Sequence, residues 1–362
     1  MKIATIVGTR PEIIRLSRLI PLLDENSEHI LVHTGQNFSA RLSAIFFEQL
    51  NLREPNYHFQ GRSASFANQV SGIFKNIEEM IEKERPGKML ILGDTNSGLS
   101  AIIAKRMGVP VYHMEAGNRC FNDKVPEECN RRVIDHASDI LLPYTKGSKA
   151  HLLREGIAEA RIFVSGNPIF EVISHYRPEI EKSDALERLG LMPRKFFLVT
   201  AHRAENVNSR ENLGNILKSL EEIAVKYQLP VIASAHPHTL DRMEKFGLAP
   251  ANPNIIFAPP FGFFDFLMLQ QNSLCVITDS GTVQEEACIL HVPSVIIRDV
   301  TERPETIACG SGILTGTDPA KVLPGVEKAI NSPTDWQLPE DYAAPDVSGK
   351  VGGILMNSKY RD

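Results

Sequence analysis

A rhythm constrains this chain more than any single residue does: short apolar runs alternate with stretches of helical periodicity almost from end to end. In the first half, 3–7, 30–33, 89–92, 109–113, 140–143 and 162–164 read as strands, and 12–23, 40–50, 67–84, 97–107 and 149–155 as helices. That is the βαβ pattern of a parallel sheet with helices on both faces. It weakens where Pro178, Glu179, Lys182 and Asp184 interrupt the apolar residues, so 171–194 reads as a linker. It restarts with strands at 196–200, 231–234, 255–258, 274–278 and 295–297, and helices near 210–227, 240–246, 264–271 and 283–290. The expectation is an α/β chain of two doubly wound domains, 1–170 and 195–335, with a cleft between them. A tail over 336–362 ends in a surface helix near 351–356.

Composition narrows the function classes. At 362 residues and 43% hydrophobic, the chain can bury two cores. A net charge of −5 gives no general attraction to nucleic acid or anionic membrane, so a polyanionic ligand must be held by locally placed Arg and Lys. Five cysteines without a C-x-x-C suit reduced thiols rather than disulfides or zinc. The first apolar run ends at Val7 in a Gly-Thr-Arg-Pro turn, too soon for a signal peptide, and no run approaches the roughly 20 residues of a membrane span. A cytoplasmic protein is expected.

Open α/β sheets bind ligands beyond the carboxyl ends of their strands, and the chemistry-bearing residues cluster there. Gly8-Thr9-Arg10-Pro11-Glu12 follows the first strand; Arg10, with Arg15 a turn later, lies beside a helix start whose free N–H groups favour an anion. Asp94, Glu115 and Glu127 follow strands or open helices within 40 residues, with Arg119, Arg131 and Arg132 among them. They suggest an acid/base centre with its own anion clamp, although each acid also has a bland reading as a helix cap or first-turn acid. In the second half His202-Arg203 follows a strand, as does His236-Pro237-His238, which has no acidic or Cys partner at metal spacing. Asp279-Ser280-Gly281-Thr282 repeats the strand, turn, helix pattern. There Ser280 and Gly281 suit a phosphate and Glu286 suits ribose hydroxyls, against the alternative of a capped helix with a solvated acidic face. No G-x-x-x-x-G-K-[ST] occurs, and Gly310-Ser311-Gly312 does not join a strand to a helix as a dinucleotide loop must.

Taken together, Gly8-Thr9-Arg10-Pro11-Glu12, Thr34-Gly35-Gln36, Gly93-Asp94-Thr95, Glu115-Ala116-Gly117, Pro126-Glu127-Glu128, Ala201-His202-Arg203, Asp279-Ser280-Gly281 and Thr301-Glu302-Arg303-Pro304-Glu305 resemble the motif set of the non-hydrolysing UDP-N-acetylglucosamine 2-epimerase family, in order, over about residues 1–330. The resemblance implies a GT-B type fold of two Rossmann-like domains around a UDP-sugar cleft, usually as a homodimer, with no metal and no cofactor. It implies catalytic roles for Asp94, Glu115, Glu127, His202 and Arg15. It further implies UDP contacts from Arg10, His202, Phe266, Ser280, Gly281, Thr282, Glu286 and Arg303. Gly117-Asn118-Arg119-Cys120-Phe121, Asn96 and Thr282 depart from the commonest pattern. They look similar to the branch that converts UDP-2-acetamido-2,6-dideoxy-L-talose to UDP-N-acetyl-L-fucosamine for capsule or O-antigen, with UDP-N-acetylglucosamine as the alternative sugar. Asn37 stands where bacterial members carry the His of a UDP-N-acetylglucosamine activator site.

The chemistry fits the residue types. The C2 hydrogen of a 2-acetamido sugar is not α to a carbonyl, so an enzyme must oxidise the sugar transiently or expel the anomeric substituent. Paired acids and a pyrophosphate clamp suit expulsion: loss of UDP and the C2 proton gives a 2-acetamidoglycal, and UDP returns with a proton on the other face. Base and acid are not distinguishable among Asp94, Glu115 and Glu127. Other readings are a GT-B glycosyltransferase, a hydrolysing epimerase and a silent UDP-sugar binder.

Overall fold

The computed structural model describes residues 1–36, 40–59 and 65–358, the side chains of 40–44 excepted, so Asn37 lies outside the described residues. The chain forms two compact units, one of Met1–Ser174 with Glu340–Asp362 and one of His175–Pro339.

In the first unit, β1 (Lys2–Val7), β2 (Glu28–His33), β3 (Tyr57–His58), β4 (Lys88–Leu92), β5 (Val111–Met114) and β6 (Ile140–Leu142) form one parallel sheet in the order β3-β2-β1-β4-β5-β6. β4 and β5 are buried at every residue, as strands covered by helices on both faces must be. In the second unit, β7 (Phe197–Thr200), β8 (Val231–Ser234), β9 (Ile255–Ala258), β10 (Cys275–Thr278), β11 (Ser294–Ile296) and β12 (Gly312–Leu314) form a second parallel sheet, ordered β12-β11-β10-β7-β8-β9. Counted within its unit, each sheet has the 3-2-1-4-5-6 order of a Rossmann fold, whose switch point lies between the first and fourth strands. The α/β class and the two doubly wound parallel sheets are those the sequence predicts.

The differences sit at the edges. The run 162–164 supplies a single bridge, Leu141 to Ile162, because only Ile162 is buried and Phe163 turns outward. The sixth place in that sheet goes to β3, two residues long and too short to leave an apolar run. β12 starts at Gly312, the last residue of the Gly310-Ser311-Gly312 stretch, and as an edge strand it leaves Leu314 38% exposed. The stretch 171–194 holds the short helices Ile169–His175, Arg177–Glu181 and Ala185–Arg188. Ala185 and Leu191 join the core with Phe196 and Leu198, so much of this polar stretch packs with the second unit.

The tail returns to the first unit. Its helix Val347–Asn357, capped by Asp346 onto the Gly349 amide, buries Val347, Val351, Gly352 and Leu355 along one stripe. That stripe packs on helix Leu19–Asn26, where a Cβ on Gly352 would lie 2.5 Å from Leu22 Cδ2. Lys88, at the start of β4 and 6% exposed, donates to the carbonyls of Leu355 and Ser358, placing its charge where the helix dipole is negative. The expected surface helix is therefore docked, with half its circumference in the core.

Candidate active site

At the switch point of the first sheet, the turn after β1 meets the turn after β4. Gly8 has no room for a side chain there: a Cβ would lie 2.0 Å from Ser97 Oγ and 2.3 Å from Thr34 Oγ1. Glu12 fills the start of helix Arg10–Leu16, its Oε2 accepting from the Gly8 and Thr9 amides (2.5 and 2.9 Å) and its Oε1 from Thr95 Oγ1 (2.6 Å). These two amides lie ahead of the helix and at its N-cap, so Glu12 ties down the turn that leads into the helix. The capping-box spacing Thr9-x-x-Glu12 supplies an internal carboxyl group, and the guanidinium of Arg10 lies 5.8 Å from the Phe46 ring.

Asp94 follows Gly93, which takes φ +77° at the end of β4. Its Oδ2 lies 2.8 Å from Arg131 Nη2, and its carbonyl accepts from Asn130 Nδ2 at 3.0 Å. Glu115 follows β5 at φ +67°, a strained conformation for a residue with a side chain, and pairs through Oε2 with Arg15 Nη1 at 2.5 Å. Arg15 and Glu115 are 2% and 8% exposed, and the Arg15 guanidinium lies 5.6 Å from the Tyr144 ring. Glu127 is half-buried in the first turn of helix Pro126–Ala137.

The three arginines predicted as an anion clamp are engaged by the protein itself. Arg119 is held by Asp135 (2.8 Å) and Glu155, Arg131 by Asp94 and Glu128 (3.0 Å), and Arg132 by Asp123 and Glu128 (3.1 Å each). A guanidinium buried as deeply as Arg119 or Arg131 is retained only when paired, which overrides the open role their spacing suggests. Glu128, fully buried, is the hub the sequence reading missed. It also accepts from the Cys120 and Phe121 amides at 3.1 and 3.0 Å, tying the loop after Glu115 to the helix that carries Glu127. Its i+3 and i+4 spacing to Arg131 and Arg132 was the available signal. Asp135, in the last turn of the same helix, accepts from His113 Nδ1 (2.8 Å) and the Gly117 amide (3.1 Å) and was missed too; it has the same spacing from Arg131 and Arg132, but its partners lie on other elements.

Burial pushes the Glu12 carboxyl up to about 7, opposed by its bonds from Thr95, Gly8 and Thr9. A carboxyl whose folded pKa is raised stabilises the fold fully below its ordinary value of 4.5 and ceases to as the pH rises through about 7. The neighbouring strand-end residue His33, pushed down to about 4 by burial, acts oppositely: its contribution is present above 6.5 and lost as the pH falls through about 4. Comparison with Glu12→Gln isolates the first effect. The stability difference between pH 4.5 and pH 7.5, measured by urea unfolding, is expected to change by on the order of 3 kcal/mol in the variant, in the sense of removing the decline toward high pH.

In the second unit the switch point lies between β7 and β10. Asp279, fully buried, accepts from the His202 amide (3.0 Å), the Arg203 amide (2.9 Å) and Asn206 Nδ2 (3.1 Å), and so fixes the turn after β7 to the turn after β10. His202 Nδ1 lies 3.6 Å from Asp279 Oδ1, with the exposed ring 6.1 Å from that of His236. Asp279 was overlooked although it shows the signal used for Asp94, an acid directly after a strand. Ser280 sits extended at the N-cap of helix Gly281–Ile289 and makes no capping bond with its side chain. Gly281 is crowded, a Cβ there falling 2.7 Å from Glu302 Oε1, and Thr282 is half-buried. The alternative of a solvated acidic face fails, since Gln284, Glu285 and Glu286 are all buried. Arg303 is 5% exposed, and its Nε lies 2.5 Å from Glu285 Oε1. Phe266 packs partly against the core around Leu269 and Val283.

Among the described residues no group of three His, Cys, Asp or Glu is placed to hold a metal, and no helix is long and apolar enough to cross a membrane.

Comparison with known proteins places the chain in a family. The model of the family described as UDP-N-acetylglucosamine 2-epimerase matches residues 22–356. The chain is 41% identical to a UDP-N-acetylglucosamine 2-epimerase of Methanocaldococcus jannaschii, covering 99% of this chain and 100% of the relative. It is 37% identical to a UDP-2,3-diacetamido-2,3-dideoxy-D-glucuronate 2-epimerase of Pseudomonas aeruginosa, covering 98% and 99%. A crystal structure of the M. jannaschii UDP-GlcNAc 2-epimerase in complex with UDP-GlcNAc and UDP matches with a TM-score of 0.94 at 39% identity over 99% of this chain and 100% of that one. With the family model spanning most of its length and relatives of this identity matched end to end, the chain is an epimerase belonging to the UDP-N-acetylglucosamine 2-epimerase family.

Proposed function

We propose that the protein inverts C2 of a UDP-linked 2-acetamido sugar without hydrolysing it, by eliminating UDP to a 2-acetamidoglycal and adding it back. The observation that carries this reading is the pair of carboxylates at the ends of adjacent strands, Asp94 after β4 and Glu115 after β5, each charge-paired with a buried arginine, Arg131 and Arg15. One of the candidate acids removes the C2 proton and another group returns a proton on the opposite face. Glu127 is a third candidate, and His202 a fourth proton-carrying group. On the nucleotide side, Ser280, Gly281 and Thr282 offer a helix start that Ser280 does not cap with its side chain, which suits the diphosphate. Glu286 suits the ribose hydroxyls and Phe266 the uracil.

For the sugar, the names of relatives at 41% and 40% identity support UDP-N-acetylglucosamine, interconverted with its manno epimer. The 6-deoxy-L-talo nucleotide is the second reading, favoured by the loop after Glu115. There Asn118 Nδ2 reaches Glu115 Oε1 at 3.3 Å and Phe121, 67% exposed, presents an apolar ring of the kind that suits a C6 methyl group.

The test is incubation in deuterated water with each nucleotide sugar, followed by NMR. Deuterium at C2 of intact nucleotide sugar, with the C2 epimer appearing, is the expected result, and the faster substrate names the sugar. Release of free UDP and free sugar in step with turnover would replace this reading with a hydrolysing one. A homodimer belongs to the same proposal; sedimentation giving the 40.3 kDa monomer at assay concentrations would contradict it.

A further inference from the structure

One short helix contacts Glu115 and the residue next to Asp94. Helix Arg10–Leu16 carries Arg15, which pairs with Glu115, and one turn earlier Glu12, whose Oε1 accepts from the hydroxyl of Thr95, the residue after Asp94. The Glu12–Thr95 bond joins residues 83 apart across the switch point of the sheet. Its length of 2.6 Å is that of a hydroxyl bound to a carboxylate. Below it the two turns are in direct contact, since Gly8 leaves no space for even a methyl group against Ser97. On the far side, Asn130 and Arg131 of helix Pro126–Ala137 hold the Asp94 carbonyl and carboxylate.

We propose that Glu12 is a positioning residue for the C2 inversion: through Thr95 it anchors the Asp94 loop to the helix that also presents Arg15 to Glu115, so that a single helix sets the separation of the two carboxylates. Asp94 is thereby held from two sides, by helix Pro126–Ala137 directly and by helix Arg10–Leu16 through the Thr95 hydroxyl. Glu12 touches no reacting atom in this account. Its effect is on geometry, and a displacement of about 1 Å between a catalytic group and its target costs on the order of 100-fold in rate. The raised pKa of Glu12 has a place here as well, because either protonation state keeps the brace: the carboxylate accepts from Thr95, and the acid still accepts or donates along the same line.

The inference rests on the proposed function, and the experiment separates the two. Wild type, Thr95→Val, Thr95→Ser, Glu12→Gln and the Glu12→Gln/Thr95→Val double variant are compared for C2 inversion of whichever UDP-sugar the wild type turns over. Thr95→Val is expected to lower kcat about 10- to 100-fold with KM within about twofold of wild type. Thr95→Ser is expected to restore most of the rate, and the double variant to be no slower than the worse single one. Wild-type kcat in Thr95→Val, a loss carried by KM, or multiplicative losses in the double variant would each overturn the brace while leaving the epimerase reading intact. Hydrogen exchange supplies a readout independent of turnover. The amides of Ser97 and Gly98 are expected to exchange at least tenfold faster in Thr95→Val, and unchanged protection overturns the proposal even if no substrate is turned over.

Discussion

Asp94→Asn is expected to lower kcat for C2 inversion by roughly 10²–10⁴-fold while the protein stays folded. The substitution is nearly isosteric, and the amide oxygen still accepts from Arg131, so the 2.8 Å contact that seats the side chain is retained. Arg131 also keeps Glu128, 3.0 Å away, so no buried cation is stranded. What is lost is the capacity to take or give a proton. Steady-state kinetics beside a thermal unfolding scan checks this. A fall of less than tenfold with an unchanged melting temperature would remove Asp94 from proton transfer and leave Glu115 and Glu127 as the acids.

Arg15→Met is expected to destabilise the first unit by about 3–5 kcal/mol, because it deprives an 8%-exposed carboxylate of its guanidinium. Glu115 is held in a left-handed conformation at the end of β5, so it cannot relax toward solvent without disturbing the strand end. Adding Glu115→Gln to Arg15→Met should recover part of the loss, since the stranded charge is then gone. Urea unfolding of the two single variants and the double completes the cycle. Additive losses would mean that the 2.5 Å contact carries no coupling. Arg15→Lys keeps the charge but loses the planar fork over the Tyr144 ring, and should fall between wild type and Arg15→Met.

The fold was legible because a parallel sheet covered on both faces needs continuous apolar runs, and β1, β2, β4, β5, β7, β8 and β10 show them. Two of the four edge strands were not: β3 and β12 are half-exposed and need only two or three residues, below what periodicity detects, whereas the edge strands β6 and β9 were read from their apolar runs. The site was legible as a set of strand-end residues, since a strand's carboxyl end announces itself by a polar residue after an apolar run. How those residues pair was not. Gly8-Thr9-Arg10-Pro11 and Asp279-Ser280-Gly281 look like the same phosphate-binding start, yet Glu12 accepts from the Gly8 and Thr9 amides at the first, whereas Ser280 leaves the second uncapped by its side chain. Arg119 and Arg131 read as parts of an open clamp because sequence carries no burial, and burial assigns them to Asp135 and Asp94; Arg132, 40% exposed, pairs with Asp123 and Glu128 at the surface.

The central claim is that C2 is inverted through cleavage of the bond between the anomeric carbon and the diphosphate. It is tested most directly with UDP-N-acetylglucosamine, or the 6-deoxy-L-talo nucleotide if that is the faster substrate, labelled with ¹⁸O in the oxygen bridging C1 and the β-phosphorus. If UDP departs and returns, the label moves from the bridging to the non-bridging β-phosphoryl positions during epimerisation, visible as an isotope shift in the ³¹P spectrum. The account predicts that movement, accompanied by solvent deuterium at C2. Epimerisation with the label still wholly in the bridge would contradict it.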